Sequence, residues 1–132
     1  MIFAGKRPNN LGVNSGKLAP CPNSPNCVSS QSSSSVHSIA PLTYNSTPEE
    51  AIANLKSVIQ SLPRTKIITE SKDYLYAEFK SALMGFVDDV EFYLDRKANV
   101  IQVRSASRLG QSDLGVNRKR IETIRAKLAE VK

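Results

Sequence analysis

The sequence contains no tryptophan, a single histidine and only two cysteines. One histidine and two cysteines are too few ligands for the usual structural zinc sites. No apolar run approaches the length that a membrane-spanning helix requires. The chain also lacks the spacing of a phosphate-binding P-loop and of the known nucleic-acid-binding motifs. These absences lead us to expect no metal, no cofactor, no transmembrane segment and no nucleic-acid partner.

Positive charge is concentrated at the two ends of the chain. The net charge is +6, of which residues 1–48 carry +3, residues 49–113 carry −1 and residues 114–132 carry +4. Such a distribution is compatible with an anionic partner, but it also serves solubility. The opening residues MIFAGKR lack the apolar core of a secretory signal. Charge alone therefore leaves the partner and the compartment open.

Proline and serine dominate the beginning of the chain. Six of the seven prolines fall within residues 1–48, and Ser32–Ser35 form a serine run. This composition resists regular structure and predicts an extended arm over residues 1–46. Leu18, Val28, Ile39 and Leu42 are its expected anchors, and Val36–Tyr44 is a possible short edge strand.

A helix is predicted to start the folded domain, which spans residues 47–132. Thr47 and Glu50 have the spacing of a capping box, and Pro48 suits the first helical position. The helical stripe that follows ends before Pro63. It consists of Ile52, Leu55, Val58, Ile59 and Leu62.

Two antiparallel hairpins are predicted next. The first turns at Ser71-Lys72-Asp73, and the second turns around Arg96-Lys97-Ala98. Pairing Leu94 with Ile101 in the second hairpin places Glu91 opposite Arg104. One face of the sheet is then apolar, while the other is polar and rich in tyrosine.

A second helix is predicted to end the chain, capped by Ser112 or Asp113. Its expected buried stripe is Ile121, Ile124, Leu128 and Val131. We therefore predict an α+β fold. It is a two-layer sandwich in which two helices cover one face of a four-stranded antiparallel sheet, with an extended N-terminal arm.

The stretch CPNSPNC contains both cysteines. Its two prolines favour turns that bring Cys21 and Cys27 within bridging distance. We favour a small disulfide loop over a metal site. Such a disulfide requires an oxidising compartment, for example a periplasm or a thylakoid lumen. In the reducing cytoplasm the two side chains would remain structural thiols.

The stretch RSASRLGQSDLGVNRKR leads from the last strand into the second helix. Helix N-terminal N–H groups attract anions, and Arg104, Arg108 and Arg118 add positive charge. An anion site that also uses Ser105 and Ser107 is one interpretation. A polar turn with an Arg104–Glu91 pair is the other.

Carboxylates on the first strand of the second hairpin are the remaining candidates for chemistry. Strand alternation separates Asp88 from Asp89 and Glu91, so the three carboxylates do not converge on a regular strand. Salt-bridge or solvent roles are the simpler interpretation. No serine has a recognisable base and orienting acid, so no catalytic residue is predicted.

Three motifs together resemble the domain-of-unknown-function 1499 family: LAPCPNSPNCVSSQ, FVDDVEFYLD and VRSASRLGQSDLGVNRKRIE. The resemblance extends from about Gly5 to Leu128. It implies a small protein of a bacterial, cyanobacterial or plastid-related group, many of whose members resemble exported or membrane-tethered proteins. It implies no reaction, substrate or cofactor.

These observations lead us to expect a non-enzymatic binding or accessory module for an anionic small molecule or a protein partner. Two alternatives stay open: a small enzyme acting on an anionic substrate, with Asp89 or Glu91 beside Arg104, and a small subunit of a membrane-associated assembly. The expected binding residues are Arg104, Ser105, Ser107, Arg108, Arg118, Asp89 and Glu91. The first five of them are expected to hold either an anionic ligand or the protein's own arm.

Overall fold

A computed structural model describes residues 4–82, 84–110 and 112–131 of the chain. It contains five strands and two helices, which form an α+β sandwich. The elements in chain order are β1 (Cys27–Ser29), α1 (Pro48–Ser61), β2 (Thr65–Ser71), β3 (Tyr74–Lys80), β4 (Val87–Asp95), β5 (Val100–Ser107) and α2 (Val116–Glu130). Within the described ranges no helix is long and apolar enough to cross a membrane.

The sheet is antiparallel throughout, with the strand order β1-β5-β4-β3-β2. Leu94 pairs with Ile101 and Glu91 pairs with Arg104, which confirms the predicted register of the second hairpin. This register was predictable because a slip of one residue would turn every apolar side chain of the strand towards solvent.

The fifth strand is not where the sequence suggested it. Residues Cys27–Ser29 form the edge strand beside β5. The proposed edge segment Val36–Tyr44 makes only isolated bridges, one of which joins Leu42 to Ile101. The prediction of a strand there was wrong, since the edge strand is formed by the disulfide-bonded segment before it.

Helix α1 begins with the predicted capping box. The side chain of Thr47 accepts a hydrogen bond from the Glu50 N–H, and the Glu50 carboxylate accepts one from the Thr47 N–H. Leu55 and Ile59 on its inner face are completely buried. Burial of each of these side chains contributes about 1.5–3 kcal/mol to folding.

Helix α2 differs from the prediction at both ends. Its N-cap is Gly115, whose φ of 81° is left-handed, and no side chain caps it in the usual way. Asp113 still supports the first turn, because its carboxylate accepts hydrogen bonds from the N–H groups of Gly115 and Asn117. At the other end Val131 lies beyond the helix and is exposed, so the predicted buried stripe stops at Leu128.

The core lies between the helices and one face of the sheet. It includes Leu55 and Ile59 of α1, Ile121 and Ile124 of α2, and Phe92 at the centre of the sheet. The four predicted anchors of the arm, Leu18, Val28, Ile39 and Leu42, are all buried. Polar side chains therefore occupy the opposite face of the sheet, where the N-terminal arm covers them.

Candidate functional site

A cluster of charged and phenolic side chains lies on the face of the sheet that the helices do not cover. Strand alternation places these side chains together, because residues two apart on a strand share a face. Most of them are buried or half-buried. We call this group the outer-face cluster: Tyr74, Tyr76, Glu78, Asp89, Glu91, Arg104 and Arg108.

Arg108 pairs with two carboxylates. Its guanidinium donates to both oxygens of Asp89 at 2.9 and 2.8 Å, and it also donates to Glu78. The Asp89 side chain is 1% exposed, so this fork-like pair is shielded from water. Hydrogen bonds to Asp89 raise the pKa of Arg108 above its ordinary value. Arg108 therefore carries a fixed charge that neighbouring carboxylates already neutralise.

Glu91 and Arg104 form a second pair, which is less complete. The Glu91 side chain is fully buried, and its Oε1 lies 3.8 Å from Nη1 of Arg104, a distance too long for a hydrogen bond. Oε1 of Glu91 and Nε of Arg104 have no hydrogen-bond partner within the described structure. The two charges attract each other, but neither side chain is fully satisfied.

Burial disfavours the charged form of both members of this pair. It raises the pKa of Glu91, although hydrogen bonds from Tyr74 and from the Gly12 N–H partly oppose the effect. Burial likewise lowers the pKa of Arg104. The same physical cause therefore shifts the two partners in opposite directions, because one is an acid and the other a base.

The N-terminal arm closes the cluster from outside. The Gly12 N–H donates to Oε2 of Glu91 at 2.7 Å, and the Pro20 carbonyl accepts from Arg104 at 3.3 Å. Arg7 of the arm forms an ion pair with Glu78 at 2.7 Å. Backbone and side-chain groups of the arm thus add polar contacts to this face of the sheet.

A separate polar junction forms where β5 leads into α2. Asn117 is fully buried at its centre. Its amide nitrogen donates to the Ser107 hydroxyl at 2.9 Å and to the Asn26 carbonyl at 3.1 Å, and its amide oxygen accepts from Ser105 at 2.6 Å. Asn117 therefore ties the disulfide segment, the last strand and the last helix together.

Arg118 lies apart from the other predicted arginines. It donates to the backbone carbonyls of Ser38 and Val36 at 2.8 and 3.1 Å. The predicted binding residues consequently occupy three places rather than one. Asp89, Glu91, Arg104 and Arg108 belong to the outer-face cluster, Ser105 and Ser107 belong to the α2 junction, and Arg118 holds the segment after β1.

The cysteines form the predicted disulfide, Cys21–Cys27. Cys27 is buried in β1, while Cys21 directly follows Pro20, whose carbonyl binds Arg104. The neighbouring Asn26 side chain donates to the Gly110 carbonyl at 2.7 Å. The bridge thus fixes the middle of the arm, at residues 21–27, beside the turn that follows β5.

Two residues outside the predicted set complete these clusters. Arg7 pairs with Glu78, and Arg120 pairs with Asp88 at 2.8 Å. Arg120 also lies 4.9 Å from the centre of the Phe79 ring. An excess of buried carboxylates on β4 was the available signal, since a buried charge requires a partner. Which arginine is that partner could not be predicted, because it depends on how distant segments pack.

No group of three or more His, Cys, Asp or Glu side chains suited to a metal ion occurs among the described residues. A groove of about 660 Å³ lies instead between the ends of the two helices, with Leu42, Tyr44, Ala51, Leu128 and Ala129 in its wall. None of the predicted binding residues lies in its wall.

The fold and the clusters define a small α+β domain closed on its polar face by a disulfide-anchored arm. The chain belongs to the DUF1499 family, described as proteins of unknown function, whose family model matches residues 17–128. No curated protein matches it.

Proposed function

We propose that the protein is a non-enzymatic binding or accessory module that acts through its accessible surface. The observation that supports this most directly is the internal pairing of the outer-face cluster. Arg7, Arg104 and Arg108 are matched by Glu78, Asp89 and Glu91, and the arm covers them. The charged residues of the outer-face cluster therefore serve to close the fold.

An anionic small molecule is the less favoured ligand on this geometry. To reach Arg108, an anion must displace Asp89 or Glu78 from short charge-assisted hydrogen bonds. The carboxylate left behind would then remain buried without its partner, which is costly. A larger partner that docks on the exterior faces no such competition.

Titration of isotope-labelled protein with inorganic phosphate and with AMP tests this proposal. We expect the backbone amide signals of residues 104–108 to stay in place up to millimolar ligand. Saturable shifts below that concentration would overturn the proposal in favour of an anion-binding protein.

One observation favours the enzyme as a second candidate. Glu91 is buried, its pKa is raised and the Tyr74 hydroxyl donates to it, features that also occur in acid–base groups. Substrate access would require the arm to leave. Hydrogen exchange at the Gly12 amide measures this opening. Exchange as slow as that of the central strands supports the closed module, whereas fast exchange supports an accessible acid.

A further inference from the structure

Exposed apolar side chains gather at one end of the sheet, on loops that contact one another. Arg108 donates its backbone N–H to the Val87 carbonyl, which places Leu109 beside the β3–β4 connection. Asn26 binds the carbonyls of Leu109 and Gly110 and, through Asn117, also holds the start of α2. We call this region the loop-end surface. Its apolar members are Met84 (42% exposed), Phe86 (40%), Leu109 (43%), Leu114 (95%) and Val116 (46%).

Leu114 is the most telling member of the loop-end surface. It is almost completely exposed, so folding gains little from its apolar side chain. Its φ of 55° lies in the left-handed region, which a branched side chain adopts at a cost and which asparagine or glycine tolerates better. A leucine that neither packs nor suits its backbone indicates a role outside the fold.

Uncompensated positive charge surrounds these side chains. Lys80 ends β3, Lys6 adjoins the Gly5–Leu109 contact and Lys119 lies on the first turns of α2. None of these lysine side chains has a hydrogen-bond or ion-pair partner within the described ranges. The nearby carboxylates of Glu78 and Asp88 are paired with Arg108 and Arg120, and the carboxylate of Asp113 accepts hydrogen bonds from the N–H groups of Gly115 and Asn117. The loop-end surface is therefore both apolar and cationic.

The lysines of the loop-end surface favour a lipid surface over a protein as its partner. Interfaces between proteins are depleted in lysine at their core, because burying its charge is costly. A lipid surface instead accepts apolar side chains at the level of its headgroups, while lysine remains in water beside anionic phosphates. Each basic residue near such a surface adds favourable electrostatic energy.

We propose that the loop-end surface docks the protein onto an anionic lipid membrane surface. This inference rests on the proposed function, since it names the partner of the binding module. Leu109 and Leu114 enter the headgroup region, and Lys80 and Lys119 pair with lipid phosphates. The attachment is peripheral and salt-sensitive.

Co-sedimentation of the full chain with unilamellar vesicles tests the proposal. We expect binding to mixed phosphatidylcholine–phosphatidylglycerol vesicles at low salt, with weak binding to phosphatidylcholine alone. The Lys80→Gln, Lys119→Gln double variant should bind the mixed vesicles at least about tenfold more weakly than wild type. Lys72→Gln, Lys97→Gln is the matched control, because both residues lie in turns at the opposite end of the sheet. It should retain most of the binding.

The apolar contribution has its own pair of variants. Leu109→Ser, Leu114→Asn should lower vesicle binding, while Val13→Ser, Val36→Ser, which alters exposed valines outside the loop-end surface, should not. Absence of vesicle binding overturns the membrane inference and leaves the binding module standing. Equal losses in the two lysine variants overturn it as well, because they reveal general charge attraction. Phosphate binding at residues 104–108 would instead overturn the proposed function itself.

Discussion

The outer-face cluster and the loop-end surface use charge in opposite ways. In the cluster, each guanidinium faces a carboxylate beneath the arm, and the groups are buried or half-buried. At the loop end, Lys6, Lys80 and Lys119 lie beside exposed leucines, and within the described ranges none of them forms an ion pair. A charged group that is paired inside the fold is not available to a partner, whereas an unpaired charged group on the exterior is available. The paired charged residues of the motifs are therefore not the ones that we expect to bind.

The largest difference should appear when one arginine of the cluster is removed. Arg108→Met leaves the buried Asp89 without its ion-pair partner, while Glu78 keeps Arg7, and should cost about 3–5 kcal/mol of the free energy of unfolding. Arg96→Met is the matched control, since Arg96 also pairs with two carboxylates, Asp73 and Glu49, but on the surface. It should cost at most about 1 kcal/mol. Urea unfolding measures both, and similar losses would remove the distinction between buried and exposed charge.

Loss of the disulfide should have the next largest effect. Cys21→Ser opens a short loop and should lower the free energy of unfolding by about 2 kcal/mol. Cys27 is left as a buried thiol, which packs as a small apolar group. Urea unfolding of the variant and of wild type, with and without reductant, checks this. A reductant that destabilises both proteins equally would contradict the assignment.

A pH series sharpens the contrast at Glu91. Its folded pKa is raised, so the folded chain binds a proton more readily than the unfolded chain. Wild type should therefore gain stability relative to Glu91→Gln as the pH falls from neutrality towards the unfolded pKa of about 4.3. The gain is lost again as the pH rises through the folded pKa. The measurement is the free energy of unfolding of both proteins across this pH range. Parallel curves for the two proteins would show that the pKa of Glu91 is not raised in the folded state.

The smallest effect on stability is expected at the loop end. Leu114→Asn should leave the free energy of unfolding unchanged or raise it by up to about 1 kcal/mol, because asparagine accepts the left-handed backbone more readily. The same variant should weaken vesicle binding. Thermal unfolding checks the stability of the variant, and co-sedimentation checks its vesicle binding. A destabilised variant would show that Leu114 has a packing role.

The elements with strong local signals could be predicted from the sequence. The Thr47–Glu50 capping box, the Leu94–Ile101 register and the Cys21–Cys27 bridge each follow from neighbouring residues or simple alternation. The edge strand was misplaced because Cys27–Ser29 pairs with a strand more than seventy residues away along the chain. The cap of α2 was misplaced because the Asn117 junction fixes that turn from outside the helix.

Helical and strand periodicity follow directly from residue order, so the side chains that face the core could be predicted from the sequence. Which charged groups pair with one another depends instead on the packing of segments that are distant along the chain. Arg104, Arg108 and Arg118 have similar side chains and stand in one motif, yet they meet Glu91, Asp89 and the Ser38 carbonyl respectively. Electrostatic pairing depends on distance and burial, and both are set by how distant segments pack. The arm, the sheet and the last helix together therefore determine the surface that the protein presents.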